Sequence, residues 1–192
     1  NIDLSNTNLT SATLTSATLM NVNLTGTTLT STNLSSTTLT GLITGSITGT
    51  PINIPTNYRL LSGFIFGPSV NLTSKNLSNI DLSNTNLTSA TLTSSNLTSA
   101  TLTNVNLTNV NLTSSTLTNT NLSSTTLSGL ITGNIIGTPL NIPTNYNLIS
   151  GFIVGPFVNL TSKDLSNINL SYTNLIDANL TSANLTSANL MY

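Results

Sequence analysis

Residues 90–107 read Ala90-Thr-Leu-Thr-Ser-Ser-Asn-Leu-Thr-Ser-Ala-Thr-Leu-Thr-Asn-Val-Asn-Leu107, with a leucine at every fifth position. The same frame runs from Leu4 to Leu39, from Leu72 to Leu127 and from Leu160 to Leu190, 27 leucine-centred units in all. A period of five matches neither the 3.6 of a helix nor the 2.0 of an extended strand. It requires a backbone that turns a corner every five residues, so that all the leucines meet one shared axis. In Ala12-Thr13-Leu14-Thr15-Ser16, an inward Leu14 places Thr13 and Thr15 outward by strand alternation, with Ala12 inward at the corner. The residue two before each leucine is accordingly small: Ala17, Val22, Thr27, Ala100, Val105, Ala183. The outward positions carry Asn, Thr and Ser, which bond neighbouring backbone and tolerate turns.

Composition narrows the function. Only 4% of the 192 residues are charged, against roughly 25% in typical soluble proteins. Disorder would require low hydrophobicity as well, whereas 37% of these residues are apolar and regularly placed. His, Cys, Trp, Glu and Gln are absent. No triad can form without His, and no Cys or His is present to hold zinc. The acids Asp3, Asp81, Asp164 and Asp177 take ordinary repeat positions rather than forming a carboxylate pair for acid–base work. Gly41, Gly45 and Gly49 lack the spacing of a phosphate cradle. No catalytic, cofactor-binding or metal-binding residue is assigned, no small-molecule substrate is expected, and the chain reads as non-enzymatic. A net charge of −1 gives no pull toward nucleic acid or anionic lipid. Polar residues break every apolar run, so no membrane insertion is expected either.

The stretches Ala12–Leu19, Ala90–Leu107 and Ala178–Leu190 resemble the pentapeptide-repeat family, whose consensus is A-(D/N)-L-x-x. The likeness covers about seven tenths of the chain. It implies an all-β fold, a right-handed quadrilateral β-solenoid in which four pentapeptides make one coil, each coil rising about 4.8 Å. Some members of the family inhibit DNA gyrase by imitating DNA. Four Asp against three Lys and Arg cannot imitate a polyphosphate, which excludes that function here.

Two near-identical segments interrupt the frame at an offset of 88 residues. Residues 41–51, GLITGSITGTP, return as 129–139, GLITGNIIGTP; NIPTNY at 53–58 returns at 141–146; SGFIFGP at 62–68 returns as SGFIVGP at 150–156. The expected organisation is a solenoid over 1–40, a hairpin insert over 41–71, a solenoid over 72–128, a second insert over 129–159 and a solenoid over 160–192. All are expected to form one continuous rod. Within each insert a Ser-Gly pair between β-formers predicts a strand, a two-residue turn and a strand. If the 18 residues from Ile52 to Ser69 stand for two faces, a module has sixteen faces and both hairpins leave the same side.

Six of the eight aromatic residues lie in the inserts: Tyr58, Phe64, Phe66, Tyr146, Phe152 and Phe157. They form either a lateral knob that docks a ligand or another subunit, or the cover by which a hairpin packs on the solenoid wall. Lys75 and Lys163 stand at inward corners where the family has alanine, so either the coil is open there or the lysine reaches out along its stem. Paired Thr around an inward leucine, as at Thr13 and Thr15, suits ice binding, but Asn33 interrupts that rank. Both ends fall inside repeats with no capping helix. The expectation is therefore a structural protein of an extracellular, cell-surface or virion-surface fibre. It would self-associate end to end, and laterally as well where the inserts allow. The alternative is a binding or adhesion module that uses the insert aromatics.

Overall fold

The computed structural model describes residues 2–191, and the five-residue frame becomes a ladder of coils. Parallel bridges join residues 20 apart: Asp3 to Asn23, Asn8 to Thr28, Thr13 to Asn33 and Thr18 to Thr38. Four bridges per 20 residues mean four faces per coil. Each bridge is centred on the residue before a leucine. The Leu4 N–H donates to Asn23 O at 2.9 Å, and the Asn23 N–H donates back to Ile2 O at 3.1 Å.

Between faces the chain makes a β-turn. The Ala12 N–H donates to Leu9 O at 2.9 Å, and the second central residue, Ser11, has φ of 60°. Positive φ recurs two residues after each leucine, at Asn6, Ser16, Asn21, Ser31 and onward. A turn with φ > 0 at this place favours residues that tolerate the left-handed region. Within the three leucine runs the position is filled by Ser, Asn or Gly, apart from Tyr172 and Asp177. Threonine, so abundant elsewhere, never occupies it, because a β-branched side chain is a poor fit to that conformation.

The leucines make the core. Leu24, Leu29, Leu34, Leu82, Leu97 and Leu122 have no exposed surface. Beside them at the inward corners lie Ala90, Ala100, Val105 and Val110, or a buried threonine. The Thr32 hydroxyl donates to Leu9 O at 2.8 Å, and the Thr120 hydroxyl to Leu97 O at 2.7 Å. Thr85, Ser95 and Ser115 fill the same kind of site with no partner for the hydroxyl. In the last described coil Leu180 and Leu185 are half-buried and Leu190 is 53% exposed.

The chain divides into two compact units, Asn1–Leu72 with Thr85–Thr91, and Thr73–Asn84 with Leu92–Tyr192. Each contains one insert. In the first, Ile43 bridges to Asn71, and in the second Ile131 bridges to Asn159. An insert coil thus spans 28 residues rather than 20. Asn53 still bridges to Asn33, so the added residues lie between Asn53 and Asn71. There the chain forms antiparallel strands β1, Arg59–Leu61, and β2, Phe64–Phe66; the second unit has β3, Asn147–Ile149, and β4, Phe152–Val154. Ser62 and Gly63, with φ of 50° and 76°, form the two-residue turn with both central residues left-handed that matches hairpin twist.

Candidate functional surface

Each hairpin is fastened to the wall of its own unit. The Ile47 N–H donates to Gly63 O at 2.9 Å, and the Ile65 N–H donates to the Thr44 hydroxyl at 2.8 Å. Ile65 and Phe66 are fully buried. The Tyr58 hydroxyl donates to Pro68 O at 2.9 Å and its ring lies against Gly67, where a Cβ would come within 2.1 Å of Cδ1. Burial pushes the Tyr58 phenol above its ordinary pKa. Phe64 is half-buried, 5.9 Å from the Phe66 ring centroid.

The second unit repeats this arrangement. Ile153 N–H donates to the Thr132 hydroxyl at 3.1 Å, and the Tyr146 hydroxyl donates to Pro156 O at 3.0 Å. Phe152 is half-buried beside Gly133 and lines a shallow cavity with Lys163 and Asp164. Phe157 differs from the other five aromatics. It is 49% exposed, with φ of 59° in the corner turn that follows the insert. The six aromatics singled out from sequence therefore form no single surface: Phe66 is buried, four are half-buried, and Phe157 faces solvent.

Two exposed residues of the second unit escaped the sequence reading. Tyr172 is 80% exposed and Ile176 is 62% exposed. Tyr172 has φ of 57°, so it shares with Phe157 a left-handed conformation unusual for so large a side chain. The residues 88 earlier are Ser69, Asn84 and Thr88, where the second copy has Phe157, Tyr172 and Ile176. That departure from Ser, Asn or Gly at the left-handed position was the signal available in the sequence.

The remaining outward residues are neutral and hydrogen-bonded in ranks. Asn Oδ1 atoms before the leucines accept the N–H two residues on, as Asn23 does from Thr25 at 3.0 Å, and Asp3 does the same for Ser5 at 2.9 Å. Amides also meet along the ladder, with Asn96 Nδ2 donating to Asn76 Oδ1 at 3.2 Å. Thr13 bridges to Asn33, so that threonine rank stops, but the neighbouring face stacks Thr28 on Thr48 with hydroxyls 3.1 Å apart. Lys75 and Lys163 are half-buried at their corners rather than enclosed. Among the described residues no group of His, Cys, Asp or Glu could hold a metal ion. No helix of the described residues is long and apolar enough to cross a membrane.

A model of pentapeptide repeats matches residues 2–41, 69–104, 90–129 and 159–191, in 8 copies. The chain belongs to the pentapeptide-repeat family. Its fold is the all-β, right-handed quadrilateral β-helix of that family, carrying a hairpin insert in each unit. Among solved structures it is similar to the pentapeptide-repeat protein Rfr23 of the cyanobacterium Cyanothece 51142, at 23% identity and TM-score 0.39, over 72% of this chain and 86% of that one. It is also similar to HetL of Nostoc sp. strain PCC 7120, a pentapeptide-repeat protein involved in heterocyst differentiation regulation, at 25% identity and TM-score 0.35, over 99% and 83%. A third is QnrB1, a plasmid-mediated fluoroquinolone resistance protein, at 12% identity and TM-score 0.22, over 96% and 84%. Superpositions this loose set no functional expectation. No curated protein sequence matches the chain.

Proposed function

We propose that this pentapeptide-repeat protein is a non-enzymatic structural element, assembled end to end with further coils of the same kind into an extracellular, cell-surface or virion-surface fibre. The observation that carries this reading is how burial depends on stacking. A leucine with a coil on both sides, such as Leu97, has no exposed surface, whereas Leu190 is 53% exposed. The backbone supports the same reading. Asn179, Asn184 and Asn189 bridge only to the coil before them, and a strand edge with unpaired donors and acceptors is a template for another. Repeat folds stabilised by nearest-neighbour contacts accept additional repeats without change of geometry. A neutral coat of Thr, Ser and Asn, free of Cys and His, suits an inert outer surface.

Negative-stain electron microscopy of the purified chain, with light scattering across a concentration series, tests this. Filaments with an axial rise of about 4.8 Å per coil are expected. A chain that stays strictly monomeric at high concentration would overturn end-to-end assembly.

A further inference from the structure

The second unit presents a place where exposed apolar side chains and amides converge on one cavity. Asn145 at the base of the second hairpin and Tyr172, Thr173, Asn174, Leu175 and Ile176 on the following coil line a space of about 390 Å³. Phe157 adjoins it, because its N–H donates to Ile176 O at 2.9 Å. The ladder itself opens here: Asn174 precedes a repeat leucine, the place of a bridge residue elsewhere, yet it makes no bridge, and its Oδ1 accepts the Ile176 N–H at 3.1 Å. Tyr172 and Phe157 both hold positive φ, a conformation in which large side chains are strained. The polar residues of the first copy, Ser69, Asn84 and Thr88, show that the repeat does not need apolar groups at these places. Strain and exposure therefore coincide at residues the fold itself does not require.

We propose that this cavity is a binding site for a neutral saccharide. A pyranose ring has one face of C–H groups and a rim of hydroxyls. An exposed tyrosine ring presents a flat apolar surface with a polar edge, and Ile176 extends the apolar floor. Asn145, Thr173 and Asn174 supply amide and hydroxyl groups that both donate and accept, as sugar hydroxyls do. The lining holds no charge, and Asp177 follows Ile176 directly, which disfavours an anionic ligand. The volume falls within the range of small-molecule sites. A protein partner fits less well: the surrounding coat is Ser, Thr and Asn, while a stable protein interface needs about 1,000 Å² of complementary surface.

The test uses the full chain and three probes, cellotetraose, maltotetraose and chitotetraose, by calorimetry and saturation-transfer NMR. Saturable binding of at least one is expected, with transfer from tyrosine ring protons. Tyr172→Asn and Ile176→Thr restore the residues of the first copy, so both variants are expected to fold, and each should weaken binding at least tenfold. Absence of saturable binding to all three probes overturns the proposal. So does unchanged affinity in both variants. If instead the parent chain self-associates and these two variants do not, without any saccharide binding, the patch is a contact between copies and the proposal fails. Filament formation by end-to-end stacking is read separately by microscopy, so the two ideas can fail independently.

Discussion

A five-residue repeat works only if one residue in five accepts a left-handed backbone. Ser and Asn do so at modest cost because their short polar side chains bond locally, whereas a β-branched residue meets its own backbone. Asn119, with φ of 56°, lies in the middle of the second unit. Asn119→Thr changes little in polarity or size, yet it should destabilise the protein by about 1–2 kcal/mol, read as a lower urea midpoint. Tyr172→Asn should move the midpoint the other way by about 1 kcal/mol. The buried hydroxyl of Ser95, which has no partner, makes a further contrast. Ser95→Ala removes an unsatisfied group from a small-residue corner, so it should be neutral or stabilising by up to about 1 kcal/mol. The inward leucines and their small partners were legible in the sequence, because apolar spacing reports burial directly. The left-handed position was not read, since Ser, Asn and Thr look alike as polar turn-formers. What separates them is branching at Cβ, and the absence of Thr two residues after each leucine records it.

At the scale of elements, the hairpins depend on a few side-chain bonds as much as on their own pairing. Two strands of three residues are marginal alone, so the Thr44 hydroxyl that receives the buried Ile65 N–H matters. Thr44→Val keeps the shape but leaves that N–H without a partner, and should cost about 1–3 kcal/mol, with faster amide exchange confined to β1 and β2. The turn and the strands were visible beforehand, because Ser-Gly between β-formers has a specific backbone consequence. Which aromatics would be covered was not visible, because that depends on where the hairpin lands. The turns that close each face involve acids as well. Serine bonds hold the carboxyls of Asp3 and Asp164 below the usual carboxylate range: for Asp3 the Ser5 backbone N–H leads, for Asp164 the Ser166 hydroxyl and then its N–H. A depressed carboxylate stabilises the fold above its unfolded pKa and ceases to as pH falls through the folded value. With His and Glu absent, the melting temperature should be flat from about pH 5 to 9 and fall slightly below about pH 4. In Asp3→Asn/Asp164→Asn that acid drop should shrink.

For the molecule as a whole, stability is a sum over stacked neighbours, so the cost of a deletion should depend on position along the stack. Leu97→Ala removes a fully buried side chain and should cost about 2–5 kcal/mol, whereas Leu190→Ala, at a half-open coil, should cost well under 1 kcal/mol unless assembly covers it. Measuring both variants below and above the concentration at which filaments appear would show whether Leu190 gains a neighbour. The 20-residue bridge also has a kinetic meaning. Wherever in a unit a regular ladder bond forms, it closes a loop of the same length, so contact order stays low however many coils follow. An insert lengthens that loop from 20 to 28 residues, which adds only about 0.3 kcal/mol of closure entropy. Growth past a hairpin should therefore proceed at nearly the pace of growth through a plain coil. The slow event is the first coil, which closes its loops before any neighbour exists to reward them.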